Sequence, residues 1–458
     1  MPDQLTVLVM AAGKGTRMRS ALPKVLHPVC GRPMVQWVVD AARAAGASEV
    51  VCVTRPGDGI AEGLANDVTV AEQASGEGTG SAVLAARDAI APGATVVVLS
   101  GDHPLVSAEL IGELVATHER EAAAATILTT DSLDPAGYGR IVRAADGSVE
   151  RIVETKYTDG LSADELALRE INLGSYAFDA GALFDALDRV GLEGGEVFLT
   201  GVLPVLRAGG QRVASHLTDD VSSAMGVNSR VDLMAVERLA QRQILERHAL
   251  AGVSFPAPDT VRVEAGVEIG GDTTIGPGVT LRGATTIGAG CEIGPQTTIT
   301  DSSLADGATC IHSFLTEARV EAGASVGPFA YLRPGAHIGE GAKIGTFVEI
   351  KNSEIGAGTK VPHLSYLGDA DVGEGANVAA GNITANYDGF AKHRTKIGSG
   401  TRTGVNASFV APVTVGDGAY IGAGSVISED VPPGALGISR PEQKNVDGYT
   451  ERMKKERG

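Results

Sequence analysis

Cysteines, aromatic residues and long hydrophobic runs are all scarce in this sequence of 458 residues. No apolar run approaches the roughly 18 residues that a membrane span needs, and no secretory signal peptide is recognisable. The cysteines form no CxxC pair, which argues against a disulfide framework or a structural zinc site and predicts four buried thiols: Cys30, Cys52, Cys291 and Cys310. These absences predict a cytoplasmic protein that has no membrane partner.

Positive charge is also in short supply, because the formal net charge is −18. A nucleic-acid-binding protein normally carries a basic face, so this balance argues against nucleic acid as a partner. One segment is the exception. Residues 10–39 carry basic side chains and no acidic one, the basic residues being Lys14, Arg17, Arg19, Lys24 and Arg32. Such local charge is sufficient for a small anionic ligand.

The chain is long for one hydrophobic core, and its pattern changes along its length. Up to about residue 227, short apolar runs (5–11, 49–54, 95–100 and 123–129) alternate with helical patterns (34–46 and 81–90). Continuous apolar strands separated by helices predict an α/β domain with a mostly parallel, doubly wound, Rossmann-like sheet. Residues 229–250 contain no glycine or proline and predict one helix, which we assign to a linker spanning 228–251.

From residue 252 to 458 the apolar pattern has a period of about six. An Ile, Val or Leu followed by small turn residues recurs from Ile269 to Ile383 and again from Ile397 to Ile427. This period fits a strand and a turn repeated along a parallel β-helix of hexapeptide repeats, with roughly eight to ten coils. Residues 384–396 interrupt the repeat and predict an inserted loop, either functional or merely tolerated at the surface.

The stretch LVMAAGKGTRMRSALPKVLHPVCGRP, residues 8–33, nearly matches two phosphate-binding motifs. A Walker A loop fails because Leu8 replaces its first glycine, and a dinucleotide fingerprint fails because Met18 replaces its third. The glycines at Gly13 and Gly15 still leave backbone N–H groups unshielded after a strand, as in anion-binding nests. A phosphate-binding turn is therefore the favoured interpretation, and a flexible turn with solvated cations is the alternative.

The motifs AAGKGTRM (11–18) and PKVLH (23–27) resemble the signature of sugar-nucleotide pyrophosphorylases. With the solenoid, the chain resembles from about residue 5 to 445 a family of bifunctional bacterial enzymes, N-acetylglucosamine-1-phosphate uridyltransferase joined to glucosamine-1-phosphate N-acetyltransferase. The resemblance implies a left-handed β-helix and a homotrimer with shared acetyl sites. It also implies synthesis of UDP-N-acetylglucosamine for peptidoglycan and other cell-envelope polysaccharides.

For uridylyl transfer from UTP to N-acetylglucosamine-1-phosphate, the resemblance implies that Arg17 and Lys24 neutralise phosphates. It implies Asp102 and Asn228 as ligands of Mg²⁺. The nucleotide and sugar contacts that it implies are Ala11, Ala12, Gly13, Gly15, Gln73, Gly78, Thr79, Gly139, Glu154 and Asn172. Read from the residues alone, Asp102 follows a buried run at the edge where α/β sheets bind ligands, or else caps the turn before Pro104.

A second polar set stands out among the small residues of the solenoid. For transfer of an acetyl group from acetyl-CoA to glucosamine-1-phosphate, the resemblance implies His363 as the general base. The sugar contacts that it implies are Arg333, Lys351, Tyr366, Asn377, Asn386 and Tyr387, and the acetyl-CoA contacts are Ala380, Val405, Ala423 and Arg440. Val405 departs from the family pattern, which usually has Ser-Asp where this chain has Val405-Asn406, so its side-chain contact is in doubt.

Two rival functions are a single-activity pyrophosphorylase with a regulatory solenoid and a non-enzymatic assembly protein. The polar set around His363 argues against the first, and the retention of Lys24 and Asp102 argues against the second. The charged tail YTERMKKERG, residues 449–458, predicts disorder. The domains predicted are 1–227, 228–251 and 252–458.

Overall fold

The computed structural model describes residues 4–13, 15–65, 67–153, 162–192, 195–223 and 225–457. The chain divides into two compact units, Met1–Arg242 and Gln243–Gly458. Two residues named from the sequence, Lys14 and Glu154, lie outside the described residues. The division falls inside one helix, so the three domain boundaries given above stay a prediction.

A mixed β-sheet forms the centre of the first unit. In the described part of that unit its strands are β1 (Leu5–Met10), β2 (Glu49–Thr54), β3 (Thr69–Glu72), β4 (Thr95–Ser100), β5 (Ala125–Thr130), β6 (Arg140–Arg143), β7 (Val149–Val153), β8 (Ile171–Asp179) and β9 (Val213–Leu217). Their order is β9-β5-β8-β4-β1-β2-β3, and β6 pairs with both β8 and β7. A separate short hairpin joins Pro28–Val29 to Arg32–Pro33.

Most of the expected parallel pairing is present. Strand β1 pairs in parallel with β2 and β4, β2 with β3, and β9 with β5. Strand β8 differs, because it runs antiparallel to both β4 and β5, and β6 and β7 form an antiparallel hairpin. Strand direction depends on how the chain returns to the sheet rather than on the apolar pattern, which explains why the sequence did not predict this insertion.

Helices cover both faces of the sheet. The helices of the chain's described residues are α1 (Met34–Ala44), α2 (Thr79–Ala85), α3 (Ala108–Arg120), α4 (Ala163–Ala167), α5 (Ala180–Leu187), α6 (Val202–Ala208), α7 (Arg230–Leu250) and α8 (Tyr449–Arg457). Side chains of α2, α5 and α6 pack with Leu8 of β1, whereas those of α1 and α3 pack with Val7 and Val9. Because successive strand residues point to opposite faces, this split confirms the doubly wound α/β fold.

The second unit is a solenoid of three parallel sheets, the arrangement of a left-handed β-helix. The first sheet contains Arg262–Val263, Thr280–Arg282, Thr298–Thr300, Phe314–Thr316, Tyr331–Leu332, Glu349–Lys351, Tyr366–Gly368, Ile383–Ala385, Ser408–Val410 and Val426–Ile427. The second contains Glu268–Ile269, Thr286–Ile287, Ser303–Leu304, Arg319–Val320, Ala336–Ile338, Ser353–Ile355, Ala370–Val372, Thr395–Ile397 and Val413–Val415. The third contains Thr274–Ile275, Glu292–Ile293, Thr309–Cys310, Ser325–Val326, Lys343–Thr346 and Lys360–His363.

The third sheet continues as single bridges from Lys360 through Asn377 and Arg402 to Tyr420, where Tyr420–Ile421 pairs with Leu436–Gly437. The first sheet has ten strands, which agrees with the predicted eight to ten coils. Its aliphatic residues pair in register from coil to coil, as Leu332 does with Ile350 and Ile350 with Leu367. The six-residue period therefore arises because each coil contributes one buried side chain to each of the three sheets.

The C-terminal tail corrects one expectation. Residues Tyr449–Arg457 form helix α8 instead of the predicted disorder, although none of its side chains is buried. The segment has no glycine or proline, an acidic first turn with Glu451 and a basic last turn, a distribution that favours a helix. All four cysteines are buried thiols without a disulfide, as predicted, and burial raises the pKa of Cys52 to about 12.

Candidate active sites

A cavity of about 340 Å³ opens at the carboxyl ends of β1, β2 and β3. Its lining includes most of the residues that the resemblance gave to the nucleotide: Ala11, Ala12, Gly13, Lys24, Gln73, Gly78, Thr79 and Asp102. Open α/β sheets bind ligands at this edge, because the loops after the strands leave backbone groups exposed there. The fold therefore brings together residues that are far apart in the chain, from Met10 to Phe198.

The glycine turn after β1 depends on close packing against Lys24. Gly15 has φ +58°, and a Cβ atom at this position would lie 2.7 Å from the Cβ of Lys24. Both the left-handed backbone and the lack of space require glycine. Gly78 is similar, since its φ is +97° and a Cβ would lie 2.4 Å from the carbonyl oxygen of Val197. These two positions explain the glycine-rich pattern without a Walker or dinucleotide motif.

Four of the residues named from the sequence form one charged cluster beside this cavity. Arg17 Nη2 donates to Asn228 Oδ1 at 2.8 Å, and Lys24 Nζ lies 3.5 Å from the same oxygen. Lys24 also forms an ion pair with Asp102. The cluster places two cations and two oxygen donors together, although Arg17 and Asn228 are 211 residues apart.

The Asp102 carboxylate is buried and well satisfied. Its Oδ1 accepts a hydrogen bond from Ser100 Oγ at 2.6 Å, and its backbone carbonyl accepts from the N–H of Val227 at 2.9 Å. Burial pushes the pKa of Asp102 upward, but the neighbouring His103 and Lys24 and the hydrogen bonds from Lys24 and Ser100 outweigh burial and hold the pKa below its usual value. The carboxylate is therefore ionised at neutral pH and ready to accept a cation.

Asp102 and Asn228 supply oxygen donors, which Mg²⁺ prefers in proteins. Both oxygens already face cations of the chain itself, Lys24 and Arg17, so the site is built for positive charge. Within the described residues, no group of three His, Cys, Asp or Glu side chains forms a metal cluster. One carboxylate and one amide nevertheless fit Mg²⁺, which keeps several waters and usually binds through one or two protein oxygens plus phosphate.

A second cavity of about 290 Å³ adjoins the first and shares Met10, Thr79 and Ser100 with it. It contains the two described residues that the resemblance gave to the sugar, Gly139 and Asn172. They lie side by side, because the N–H of Asn172 donates to the carbonyl of Gly139 at 2.9 Å. Asn172 Nδ2 also donates to Tyr176 Oη at 2.7 Å, which fixes its orientation.

Several residues of the two cavities were missed in the sequence reading. Arg55, Glu77, Glu196 and Phe198 line the first, and His103 lines the second. Burial lowers the pKa of His103 in spite of the neighbouring Asp102, which favours its neutral form. His103 could have been found from the sequence, because it directly follows Asp102. The residues missed in the first cavity lie in loops and were not among the residues that the resemblance gave.

The solenoid places a row of basic and phenolic side chains on its first sheet. Arg333 follows one strand of that sheet, Lys351 ends the next, and Tyr366 begins the one after. Arg333 Nη1 donates to Glu349 Oε1 at 2.8 Å. The resemblance implied these two cations and one phenol as sugar contacts, and the coils stack them within one face of the solenoid.

A buried carboxylate on this face, Asp369, contacts several of the polar side chains and was not named in the sequence analysis. It is 5% exposed and lies 3.3 Å from Lys351 Nζ, and it accepts a hydrogen bond from Asn386 Nδ2. Burial raises the pKa of Asp369, but hydrogen bonds from Asn352, Asn386 and Lys351 outweigh burial and lower it. One ionised side chain therefore fixes two of the predicted sugar contacts, Lys351 and Asn386.

The inserted segment returns over this face. Tyr387 pairs with Lys392 in an antiparallel bridge, and Tyr387 Oη donates to the carbonyl of Gly389 at 2.7 Å. Lys392 lies against Lys351, and this neighbouring charge lowers the pKa of Lys392. The interruption of the repeat therefore adds a further cation beside Lys351, which favours the functional interpretation of the loop over the merely tolerated one.

The corner between the third sheet and the first carries the remaining residues of the second set; we call it the His363 corner. Backbone N–H groups link its coils: Gly381 donates to His363 at 3.3 Å, Asn406 to Ala380 at 2.8 Å and Gly424 to Val405 at 2.8 Å. Arg440 Nη1 donates to the carbonyl of Ala423 at 3.0 Å. His363, Ala380, Val405, Ala423 and Arg440 thus follow one line along successive coils.

Two polar residues of this set have side chains that are exposed to solvent. His363 and Asn377 are both exposed, and no hydrogen bond or ion pair of either side chain is found among the described residues. His363 ends a strand of the third sheet, and Asn377 is the next bridge of that sheet. An unpartnered imidazole at the end of a row of small residues is free to accept a proton from a ligand.

The comparisons with known proteins agree with the two units. Residues 7–160 match the MobA-like NTP transferase domain family. The bacterial transferase hexapeptide family matches residues 266–301, 317–352 and 394–429. The fold and the two families define a transferase that combines a nucleotidyltransferase unit with a hexapeptide-repeat unit.

Similar curated proteins extend over nearly the whole chain. Bifunctional protein GlmU of Mycobacterium bovis (strain BCG / Pasteur 1173P2) is 45% identical over 99% of this chain and 93% of the relative. Bifunctional protein GlmU of Brevibacillus brevis is 46% identical over 98% of both chains. The chain therefore belongs to the family of bifunctional GlmU proteins. In the part of the chain that the structure describes, no helix is both long and apolar enough to cross a membrane.

Proposed function

We propose that the chain acetylates glucosamine-1-phosphate with acetyl-CoA in the solenoid and then transfers a uridylyl group from UTP to the resulting N-acetylglucosamine-1-phosphate. The products are UDP-N-acetylglucosamine and pyrophosphate, for peptidoglycan and other envelope polysaccharides. The observation that carries this proposal is the presence of both polar sets, each complete in its described residues, in a chain that aligns with bifunctional relatives over 99% of its length.

In the first unit the two adjoining cavities receive the two reactants. The cavity beside Gly13 and Gly78 takes the nucleotide, and the cavity beside Gly139 and Asn172 takes the sugar phosphate. The sugar phosphate oxygen attacks the α-phosphorus of UTP in line, a new P–O bond forms, and pyrophosphate leaves with its electron pair. No covalent enzyme intermediate is needed, since positioning and charge neutralisation by Arg17 and Lys24 lower the barrier.

Asp102 and Asn228 would hold Mg²⁺ in this site. When bound, the ion supplies positive charge that offsets the developing charge on the phosphates. Asp102 is ionised for this purpose, because Lys24 and the hydrogen bond from Ser100 keep its pKa low. Lys24 pairs with the other carboxylate oxygen, Asp102 Oδ2, so its ammonium is placed to contact a phosphate next to the ion.

In the solenoid, the face with Arg333, Lys351 and Tyr366 binds the sugar phosphate, and Asn377, Asn386 and Tyr387 contact the sugar. Acetyl-CoA lies along the His363 corner, where Ala380, Val405 and Ala423 leave room and Arg440 adds a cation. His363 takes the proton from the amine as nitrogen attacks the thioester carbonyl, the C–N bond forms, and the thiolate leaves. The exposed and unpartnered imidazole of His363 supports this role.

We also propose that the chain works as a homotrimer. The His363 corner carries a ladder of exposed apolar side chains on the preceding coils: Phe329, Phe347 and Leu364, with exposed fractions of 55%, 58% and 61%. The rings of Phe329 and Phe347 stack at 5.4 Å between centroids. Such a contiguous apolar surface is typical of a protein–protein interface, and its continuity with His363 supports an acetyl site shared between chains. A cytoplasmic location stays a prediction.

One assay tests both activities. The full chain is mixed with glucosamine-1-phosphate, acetyl-CoA, UTP and Mg²⁺, and free thiol and pyrophosphate are measured separately. Wild type releases both. Asp102→Ala abolishes pyrophosphate release but leaves thiol release unchanged. His363→Ala abolishes thiol release, but it still releases pyrophosphate from UTP when N-acetylglucosamine-1-phosphate is supplied directly.

Matched controls are Asp88→Ala, an exposed acid outside both cavities, and His337→Ala, a histidine on the second sheet of the solenoid. Both controls keep both activities. Absence of thiol, with pyrophosphate still released from UTP and added N-acetylglucosamine-1-phosphate, would support a pyrophosphorylase with a regulatory solenoid. Absence of both products, with that sugar phosphate also supplied, would support an assembly protein.

A further inference from the structure

Arg55 joins the two loops on either side of its own strand. It directly follows β2, which lies between β1 and β3 in the sheet. Its Nε donates to the carbonyl oxygen of Ala12, after β1, at 2.6 Å, and its Nη2 lies 3.0 Å from Glu77 Oε2, in the glycine-rich loop after β3. Arg55, Ala12 and Glu77 all line the first cavity.

The loop residue Arg55 is itself held in place. Its backbone N–H donates to Asp58 Oδ2 at 2.8 Å, and the backbone N–H of Ile60 donates to Asp58 Oδ1 at 3.0 Å. The Arg55 side chain is 30% exposed. A partly buried guanidinium has a planar fork that suits two acceptors at once, here one carbonyl and one carboxylate.

The bond to Ala12 sets the orientation of the phosphate-binding turn. A trans peptide is planar, so its C=O and N–H point in opposite directions. When Arg55 holds the carbonyl of Ala12, the N–H of Gly13 is turned to the other side. In the described residues this N–H has no backbone acceptor, and a Cβ at Gly13 would meet no atom within 4 Å. Gly13 therefore keeps an unshielded donor beside the cavity.

The bond to Glu77 sets the other side of the cavity. The carbonyl of Glu77 accepts from the N–H of Val197 at 3.0 Å, and Gly80 donates to Val197 at 2.8 Å. Glu77 is thus anchored to the segment that supplies Glu196 and Phe198 to the cavity lining. Arg55 therefore fixes the distance between this segment and the turn after β1.

We propose that Arg55 is a positioning residue for the nucleotide: it pre-forms the cavity by linking the Ala12 carbonyl to Glu77. The proposal rests on the uridylyltransferase activity proposed above. Ordering a loop before the ligand arrives lowers the cost of binding, whereas the bound complex reaches the same geometry with or without the link. Loss of Arg55 therefore weakens nucleotide binding and leaves the chemical step nearly unchanged.

The test uses the full-length chain and compares Arg55→Met with Arg87→Met. Arg87 makes similar contacts elsewhere in the same unit, 2.6 Å to Asp188 Oδ1 and 3.3 Å to the carbonyl of Phe184, and lines neither cavity. Calorimetry measures the Kd of UTP without the sugar substrate. Steady-state pyrophosphate release gives kcat and the two KM values.

Arg55→Met raises the Kd and KM of UTP by about tenfold, which corresponds to about 1.4 kcal/mol. Its kcat and its KM for N-acetylglucosamine-1-phosphate stay within about twofold of wild type, because the second cavity does not include Arg55. Arg87→Met leaves all four values unchanged. Glu77→Gln raises the UTP KM by about threefold, since a partly exposed ion pair contributes little, and the double variant is no worse than Arg55→Met alone.

Two results overturn the proposal. One is a UTP Kd for Arg55→Met within twofold of wild type. The other is a fall in kcat together with a rise in the sugar KM, which indicates a general structural defect. Should Arg55→Met fail to fold, Arg55→Lys replaces it, because lysine keeps the charge but loses the planar fork of the guanidinium. The UTP KM is then expected to rise while kcat and the sugar KM stay unchanged. Failure of the proposed function is recognised separately, because wild type then releases no pyrophosphate from UTP.

Discussion

The two candidate sites of this chain are built in opposite ways. The site in the first unit is recessed: it consists of two adjoining cavities of about 340 and 290 Å³, and its charged residues pair with one another. The site in the solenoid is open. His363 and Asn377 are exposed, without a side-chain partner among the described residues, and Phe390 at the inserted loop is 96% exposed.

This difference indicates which of the two sites a single chain could form by itself. The described residues of one unit line both cavities, so we expect the uridylyl site to need nothing from another copy. A solenoid presents flat faces and cannot enclose a ligand alone. An acetyl site on such a face requires a second surface, and the apolar ladder beside His363 offers one.

The largest expected effect comes from breaking that ladder. Phe329→Asp combined with Phe347→Asp places two charges in the stacked pair and is expected to dissociate the proposed trimer into monomers. Acetyl transfer then falls by about a thousandfold, because the base loses the groups that complete its site. Uridylyl transfer stays within about twofold, since its cavities lie inside one unit. Light scattering and the two product assays measure the three quantities.

The matched control for this variant is Leu192→Asp. Leu192 is 73% exposed and belongs to the first unit, so it tests the effect of a new surface charge alone. It is expected to leave the oligomeric state and both activities unchanged. Full acetyl transfer by a monomeric ladder variant would show that the solenoid face is complete without a partner, and the comparison would fail.

A smaller effect on activity is expected from a variant in the uridylyl site of the first unit. Lys24 pairs with Asp102 and lies 3.5 Å from Asn228 Oδ1, the two oxygens proposed for Mg²⁺. Its ammonium therefore competes with a metal for the same donors. Lys24→Met is expected to bind Mn²⁺ about tenfold more tightly without nucleotide, because one positive charge in direct contact has been removed. Its uridylyl kcat falls by about a hundredfold, since a phosphate loses its cation.

Electron paramagnetic resonance with Mn²⁺ measures this affinity independently of activity. Arg19→Met is the control, a basic and exposed residue of the same segment, for which no change in Mn²⁺ affinity is expected. An unchanged affinity in Lys24→Met would show that the lysine does not compete for the carboxylate. Acetyl transfer stays normal in both variants.

Much of this comparison was accessible from the sequence, for a physical reason. Apolar β-branched runs predicted β1, β2, β4 and β5 to within two residues, because a buried strand needs a continuous run. The six-residue period predicted the solenoid, since each coil repeats the same buried position. Gly15 was recognised in the predicted phosphate-binding turn and Gly78 from the family resemblance, and the structure adds the close contacts that require glycine there.

Other features depend on tertiary contacts that no local pattern records. Strand β8 reverses direction within an otherwise parallel region, and Asp369 acts through partners on neighbouring coils. The ladder was also missed, because Phe329 and Phe347 occupy left-handed corner positions, with φ of 58° and 57°, where a sequence reading expects glycine or asparagine. The assignments of individual site residues remain predictions until the variants above are measured.

The smallest expected effect concerns Val405, where the chain departs from the family pattern. Val405 is 48% exposed on the His363 corner, and its carbonyl accepts from the N–H of Gly424 at 2.8 Å. Its carbonyl is thus already used within the solenoid, and its side chain offers no hydrogen bond. Val405→Ser adds a hydroxyl at a half-exposed site, where one neutral hydrogen bond contributes about 0.5 kcal/mol.

The KM for acetyl-CoA is therefore expected to fall by about twofold to threefold in Val405→Ser, with kcat and the UTP reaction unchanged. Val410→Ser is the control, a similarly exposed valine on the first sheet and outside the corner, for which the KM stays at the wild-type value. An unchanged acetyl-CoA KM in Val405→Ser would mean that the donor does not contact this side chain. The line of the His363 corner would then bind acetyl-CoA through Ala380, Ala423 and Arg440 alone.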